Sequence, residues 1–265
     1  MQLTDSHCHV STLWYEPIET LTDQMNRNGV AQAVLVQILG QFDNSYQQAC
    51  AREHPERFAS VVAVDPTSPH ACETLAALAE RGAAGVRLRP DARSPGADPL
   101  AIWRTAAARG LAISCVGNAE RFSSPEFFAL LEALPELVVV LEHFGGTSRP
   151  GETLPDARGR VFDVARYPNV YLKLPGFGEL ATRPALLPSR APTLAPDLAE
   201  LDAALTRFGP ERLMWGSDFP FVCAREGYGN ALRWMRDAIA ARVGDAHTLV
   251  FGETARRVFR LPELH

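Results

Sequence analysis

His7 and His9 stand one residue apart near the start of the chain. On an extended segment their imidazoles share a face and can reach a common point. Such a pair suits a divalent metal ion, or an oxygen atom that must be held and polarised during a reaction. Further along come Arg87 and Arg89, Glu142 beside His143, then Lys173, then Asp218. A guanidinium fork grips a planar carboxylate, a carboxylate takes a proton from water, and imidazole or ammonium groups donate to a forming oxyanion. A lone His-x-His is a weak signal. Joined to a distant histidine and a distant aspartate it becomes a candidate catalytic set, provided the fold brings them together. Structural readings stand beside the chemical ones: Arg87 and Arg89 could pair with Glu142 or Asp91, and Lys173 could neutralise a buried carboxylate such as Asp5. His54, His70, His247 and His265 lie in helical or terminal contexts and read as surface or local packing.

Hydrophobic spacing defines the elements that must position these residues. Short apolar, β-branched runs at 3–10, 31–38, 59–65, 85–89, 111–116, 138–143, 170–174 and 213–218 predict eight strands. Amphipathic segments lie between them. Ile18, Leu21 and Met25 form a stripe closed by Gly29, and Leu75, Leu78 and Ala79 one closed by Gly82. Ser124-Pro125 reads as an N-cap and first helical residue. Leu198, Leu201 and Leu205 form a stripe that stops at Gly209-Pro210, and helical patterns follow at 231–243 and 253–259. Strict alternation implies a parallel sheet with helices outside, and eight repeats imply an α/β fold, one (β/α)8 TIM barrel over residues 1–265. An open doubly wound sheet would need a glycine-rich loop after the first strand, where Asp5-Ser6-His7-Cys8-His9 stands instead.

Catalytic groups of such barrels gather at the carboxyl ends of the strands. His7, His9, Arg87, Arg89, His143, Lys173 and Asp218 all fall there. Two-residue alternation puts Asp5, His7 and His9 on one face with Cys8 opposite, and sets Trp215 away from Asp218, in the barrel-to-helix core. The proline-rich stretch 177–196 predicts a long loop over the barrel mouth, a lid.

With 26 Lys+Arg against 31 Asp+Glu the formal net charge is −5, which argues against a nucleic-acid surface. No apolar run approaches the ~20 residues that span a bilayer. The opening residues Met1 to His7 lack the basic start and apolar stretch of a signal peptide. The expectation is a cytoplasmic protein with no membrane partner. Five scattered cysteines without a C-x-x-C pair read as reduced thiols. A small carboxylate held by Arg87 and Arg89 is the expected ligand and a homodimer the expected assembly.

Taken in order, Asp5-Ser6-His7-Cys8-His9, Gly85-Val86-Arg87-Leu88, Glu142-His143-Phe144-Gly145-Gly146, Lys173-Leu174-Pro175-Gly176, Trp215-Gly216-Ser217-Asp218-Phe219-Pro220 and Gly252-Glu253-Thr254 resemble the amidohydrolase-related branch of the amidohydrolase superfamily. Within it the likeness is to the lactonases that include 2-pyrone-4,6-dicarboxylate lactonase and the sugar-acid lactonases. The block around Gly216-Ser217-Asp218 is the most specific piece. The resemblance implies a (β/α)8 barrel with His7, His9, His143 and Asp218 in the active site. Metal-dependent relatives add a histidine from the fifth strand, which here reads Leu111-Ala112-Ile113-Ser114-Cys115-Val116. The expectation is therefore a metal-independent lactonase. In it Asp218 activates water, His7, His9 and His143 donate to the carbonyl or leaving oxygen, and Arg87, Arg89 and Lys173 hold an anionic substrate. Two alternatives are carried with it. One is a zinc-dependent decarboxylase or hydratase of an unsaturated acid, its ion held by His7, His9 and Asp218. The other is a catalytically silent barrel that binds a carboxylate, which the departure Gly252-Glu253-Thr254 and the missing fifth-strand histidine would permit.

Overall fold

The computed structural model describes residues 2–147, 159–180 and 198–264. Eight parallel strands pair in sequence order: β1 Leu3–Cys8, β2 Val30–Val36, β3 Phe58–Val62, β4 Ala83–Leu88, β5 Ala112–Cys115, β6 Val139–Leu141, β7 Val170–Leu174 and β8 Leu213–Trp215. Helices connect successive strands, among them Ile18–Arg27, Ala71–Glu80, Pro125–Ala133 and Ala199–Phe208. This is a (β/α)8 TIM barrel, as the alternation predicts. Ser124 caps its helix as expected, its side chain accepting from the Phe127 N–H at 3.2 Å with Pro125 in the first turn.

Alternation along the strands sorts the barrel into two apolar layers. Inward residues Val34, Val61, Ala84, Ala112, Val140 and Met214 pack on Ala255 and Phe259 of the terminal helix Thr254–Phe259, which plugs the bottom. Outward residues such as Val86, Ile113, Leu141, Leu172 and Trp215 pack against the surrounding helices. Trp215 lies in that outer layer with Tyr228 and Phe251, each ring centroid 6.0 Å away. The apolar plug leaves the upper half of the interior for polar side chains.

The barrel closes between its first and last strands. Beyond β8, the Asp218 N–H donates to the His7 carbonyl at 2.9 Å and the His9 N–H to the Phe219 carbonyl at 2.8 Å. Below them the buried Asp5 carboxylate staples the seam. Its Oδ1 accepts from the N–H groups of Ser217 (2.9 Å) and His7 (3.1 Å), and its Oδ2 from the Tyr228 hydroxyl (2.8 Å). Burial raises the pKa of this carboxyl, and burial with the nearby Asp5 pushes the Tyr228 phenol well above 10.

Two expectations are corrected here. Asp5 does not share a face with His7 and His9. The pairing of β1 with β2 slips between Asp5 and Cys8, so that three steps on β1 match two on β2. A bulge of this kind reverses side-chain parity, and Asp5 turns toward Tyr228 on the outer side while both histidines face inward. All the strands except β7 are also shorter at their carboxyl ends than the apolar runs suggest. His143 and Asp218 adopt left-handed backbone at φ 48° and 60°, which ends the ladder before them. His9, His143 and Asp218 therefore sit just beyond strands.

The expected lid begins as a short helix, Phe177–Leu180; residues 181–196 of it lie outside the described residues. Among the described residues no helix is long and apolar enough to cross a membrane. A substitution at the seam tests the staple. Tyr228→Phe removes one donor from a buried carboxylate and is expected to lower unfolding free energy by roughly 1–3 kcal/mol, read from the urea midpoint at constant slope.

Candidate active site

Three polar tiers fill the upper barrel. In the lowest, Glu142 from the end of β6 is fully buried. Arg87 of β4 forks onto it, Nη2 to Oε2 at 2.6 Å and Nε to Oε1 at 3.1 Å, while Nη1 donates to the Gln37 carbonyl at 3.1 Å. The Ser114 hydroxyl of β5 donates to Glu142 Oε1 at 2.6 Å. Burial opposes the charge on Glu142, but Arg87, Lys173 and His143 outweigh it and hold the carboxyl at about 2. Of the structural pairings open to Arg87, this is the one it makes.

Lys173 of β7 forms the next link. Its ammonium donates to Ser114 Oγ at 2.8 Å and to His7 Nδ1 at 3.0 Å. Burial lowers its pKa to about 8, against the pull of Glu142, so it remains charged at neutral pH. An ammonium has only donors; His7 Nδ1 therefore accepts and the ring hydrogen resides on Nε2. Burial, reinforced by the Lys173 charge, depresses the His7 pKa well below 6.5, and the ring stays neutral. Its Nε2 is buried without a hydrogen-bond partner among the described residues.

At the mouth the other imidazoles take different forms. His9 Nδ1 donates to the Val36 carbonyl at 2.6 Å, which leaves a lone pair on Nε2. That nitrogen lies 3.5 Å from Asp218 Oδ1, and His7 Nε2 lies 3.8 Å from the same oxygen. His143 Nδ1 meets Glu179 Oε1 at 3.0 Å. Burial alone would lower the His143 pKa, but Glu179, Asp218 and Glu142 raise it to about 9. Arg225 closes the ring, its Nη1 3.3 Å from Glu179 Oε2 and 3.5 Å from Asp218 Oδ2.

The predicted set thus separates into groups. His7, His9, His143 and Asp218 face one space, with Lys173 directly beneath His7 and Arg87 committed to Glu142. Arg89 is exposed beyond β4, and its side chain makes no hydrogen bond or ion pair among the described residues. Arg89 and Arg87 line a cavity of about 530 Å3 with Leu39, Phe42, Val64 and Pro66. Tyr15 packs beside His9, its ring 5.6 Å from that of His9 and 5.2 Å from that of Phe221. Glu179 and Arg225 were not foreseen. Neither ends a strand or stands in a motif, and the only signal available was a pair of charges in loops. Among the described residues, three sets of side chains bring ligand atoms close enough for a metal ion: His7, His9 and Asp218; His7, Glu142 and His143; and His143, Glu179 and Asp218.

Comparison with known proteins places this geometry. A family model described as Amidohydrolase matches residues 5–261. An L-fucono-1,5-lactonase of Burkholderia multivorans is 34% identical over 135 residues, 47% of this chain and 44% of that protein. A 4-sulfomuconolactone hydrolase of Hydrogenophaga intermedia is 28% identical over 202 residues, 74% of this chain and 60% of that protein. The chain thus matches about half the length of these relatives. A crystal structure of an amidohydrolase from Burkholderia multivorans with bound zinc superposes with a TM-score of 0.76 at 21% identity, covering 99% of this chain and 100% of that one. At that identity the likeness speaks for the fold.

The charged tiers give stability a defined pH window. Glu142 titrates at about 2 in the fold against 4.5 unperturbed, so its contribution is present above pH 4.5 and lost as pH falls toward 2. His143 titrates at about 9 against 6.5, so its contribution is present below pH 6.5 and lost as pH rises through 9. Unfolding free energy measured from pH 6.5 to 9 should fall by up to roughly 3 kcal/mol more in the unsubstituted protein than in His143→Asn. Parallel curves for the two would refute the assignment.

Proposed function

This chain belongs to the amidohydrolase family, and on that premise we propose that it hydrolyses a small, anionic lactone with water activated by Asp218 and without a resident metal ion. The observation that carries the reading is the buried Nε2–H of His7, aimed into the space before Asp218 with no acceptor of its own among the described residues. A buried donor without a partner is costly in a folded protein. A carbonyl oxygen becoming an oxyanion is the acceptor it fits.

The remaining roles follow from the form each ring takes. His9 Nε2 and Asp218 Oδ1 are both acceptors and lie side by side, so together they suit the two protons of one water molecule. That water attacks the carbonyl carbon while Asp218 takes a proton. Negative charge gathers on the carbonyl oxygen against His7 Nε2–H, whose tautomer Lys173 sets. The ring C–O bond breaks, the leaving oxygen takes a proton from His143, and the product is a hydroxy acid. This gives His9 an accepting role in place of the donation expected from sequence. Arg89 offers its free fork to an anionic group on the substrate, with Arg87 contributing the N–H bonds its pairing leaves over. The name of the Hydrogenophaga relative, with its sulfo group, accords with an anionic lactone.

Zinc is the metal to weigh, since a related fold holds it. A catalytic zinc ion takes three protein ligands with free lone pairs. Of His7, His9 and Asp218, His9 and Asp218 offer one, while His7 Nε2 carries a hydrogen because its Nδ1 faces an ammonium. The set does not fit the ion in this form, and no step above passes through it.

A panel of sugar 1,5-lactones, muconolactones and pyrone carboxylates, followed by proton release with and without chelator, tests the reading. Turnover of an anionic lactone that survives chelation is expected. Activity lost on chelation and restored by zinc, or carbon dioxide release from an unsaturated acid, would establish the zinc-dependent alternative. Asp218→Asn should lower kcat at least ~10²–10³-fold with little change in thermal midpoint, because asparagine also tolerates left-handed backbone. Lys173→Met should lower kcat by freeing the His7 tautomer.

A further inference from the structure

Two strand ends that carry the proposed acid and base are tied together by side chains from neither. Glu179 Oε1 lies 3.0 Å from His143 Nδ1, and Glu179 Oε2 lies 3.3 Å from Arg225 Nη1. The same Arg225 nitrogen lies 3.5 Å from Asp218 Oδ2, and Arg225 Nη2 donates to the Ser217 carbonyl at 3.3 Å. The side chains of Glu179 and Arg225 are only 12% and 18% exposed. Beneath them Glu226, whose side chain is fully buried, accepts the Gly178 N–H at 3.1 Å and faces Arg225 Nε at 3.4 Å. A Cβ at Gly176 or Gly178 would overlap the Glu226 carboxylate. The turn Phe177–Leu180 is thus seated on residues 225 and 226, and a side chain at residue 178 would displace the Glu226 carboxylate that accepts its N–H.

We propose that Glu179 is a positioning residue for His143, seated by Glu226 and Arg225, and that Arg225 extends the same link to Asp218. The proposal deepens the lactone-hydrolase reading and rests on it. His143, Phe144, Gly145 and Gly146 all have positive φ, so no helix or strand ladder holds the imidazole from below. A side-chain partner fixes such a ring: Glu179 Oε1 lies 3.0 Å from Nδ1, and Glu142 Oε2 lies 3.9 Å from Nε2. With Nδ1–H given to Glu179, Nε2 is the nitrogen turned to substrate. Arg225 engages Asp218 Oδ2 and leaves Oδ1 toward His7 and His9, which makes Oδ1 the basic atom. Because His143 follows β6 and Asp218 follows β8, a link through the turn after β7 sets the spacing between them.

Three variants and two readouts test this: Glu179→Leu, which removes the acceptor; Glu179→Gln, which keeps one oxygen; and Gly178→Ala, which unseats the turn without touching Glu179. The first readout is ring 15N NMR of His143 in the protein without substrate. Nδ1 should be protonated in the unsubstituted protein and should lose that fixed state in Glu179→Leu and Gly178→Ala. The second is kcat and KM on L-fucono-1,5-lactone and 4-sulfomuconolactone. Glu179→Leu and Gly178→Ala should lose about 10–100-fold in kcat, as expected for groups that orient a working imidazole, with KM within about threefold and Glu179→Gln between the extremes. Unchanged kcat and unchanged ring shifts in Glu179→Leu would overturn the proposal. Shifts that respond while the unsubstituted protein turns over neither lactone nor any of the panel would leave the positioning intact and overturn the lactone reading instead.

Discussion

The barrel closes through the residues proposed to carry its chemistry. The two hydrogen bonds that join β1 to the segment after β8 are made by the backbone of His7, His9, Asp218 and Phe219. Closing the sheet and bringing imidazoles to carboxylate are therefore one event. Asp5 makes the arrangement rigid from below, because a buried carboxylate retains its hydrogen bonds only if Ser217 and Tyr228 stay in register. A slip of one residue would exchange the two faces of β1 and send the imidazoles into the helix layer. The bulge between Asp5 and Cys8 is what allows one strand to serve both purposes, with the staple facing out and the histidines facing in.

Above the apolar plug, charge is managed by pairing. Buried ions are costly alone and tolerable in a closed network, and Glu142, Arg87, Ser114 and Lys173 form such a network. Its consequence reaches the reacting space through one contact. The Lys173 ammonium occupies His7 Nδ1, so the ring must present N–H at its other end. Glu179 meets Nδ1 of His143, and the Val36 carbonyl accepts from Nδ1 of His9. Each imidazole thus has one nitrogen engaged by a group behind it.

Backbone strain marks the same places. His143, Phe144 and Asp218 are non-glycine residues in left-handed conformation, at about 1–2 kcal/mol each. Their sequence neighbours accommodate it: Gly145 and Gly146 share the positive φ, and at Gly146 a Cβ would meet the backbone of Asn118. Strain of this kind persists where the surrounding structure over-determines it. Here the seam bonds and the close contact at residue 118 supply that constraint.

Eight strands, their order and the amphipathic helices were legible in the linear pattern, because hydrophobic alternation is a local property and parallel strands joined by helices have few ways to close. The meeting of His7, His9, His143 and Asp218 followed, since each sits at a strand's carboxyl end. Other features depended on contacts between distant segments. Arg87 had a substrate and two acids open to it, and the spacing of β4 and β6 across the barrel decided for Glu142. Asp5 changed sides because a bulge, invisible in residue types, altered parity. Glu179 and Arg225 lie 46 residues apart, each in a segment whose own sequence gives no sign of the other. Alternation along a chain predicts which way a side chain points; which group it then meets is a matter of distance in three dimensions, and that exists only once the barrel has closed.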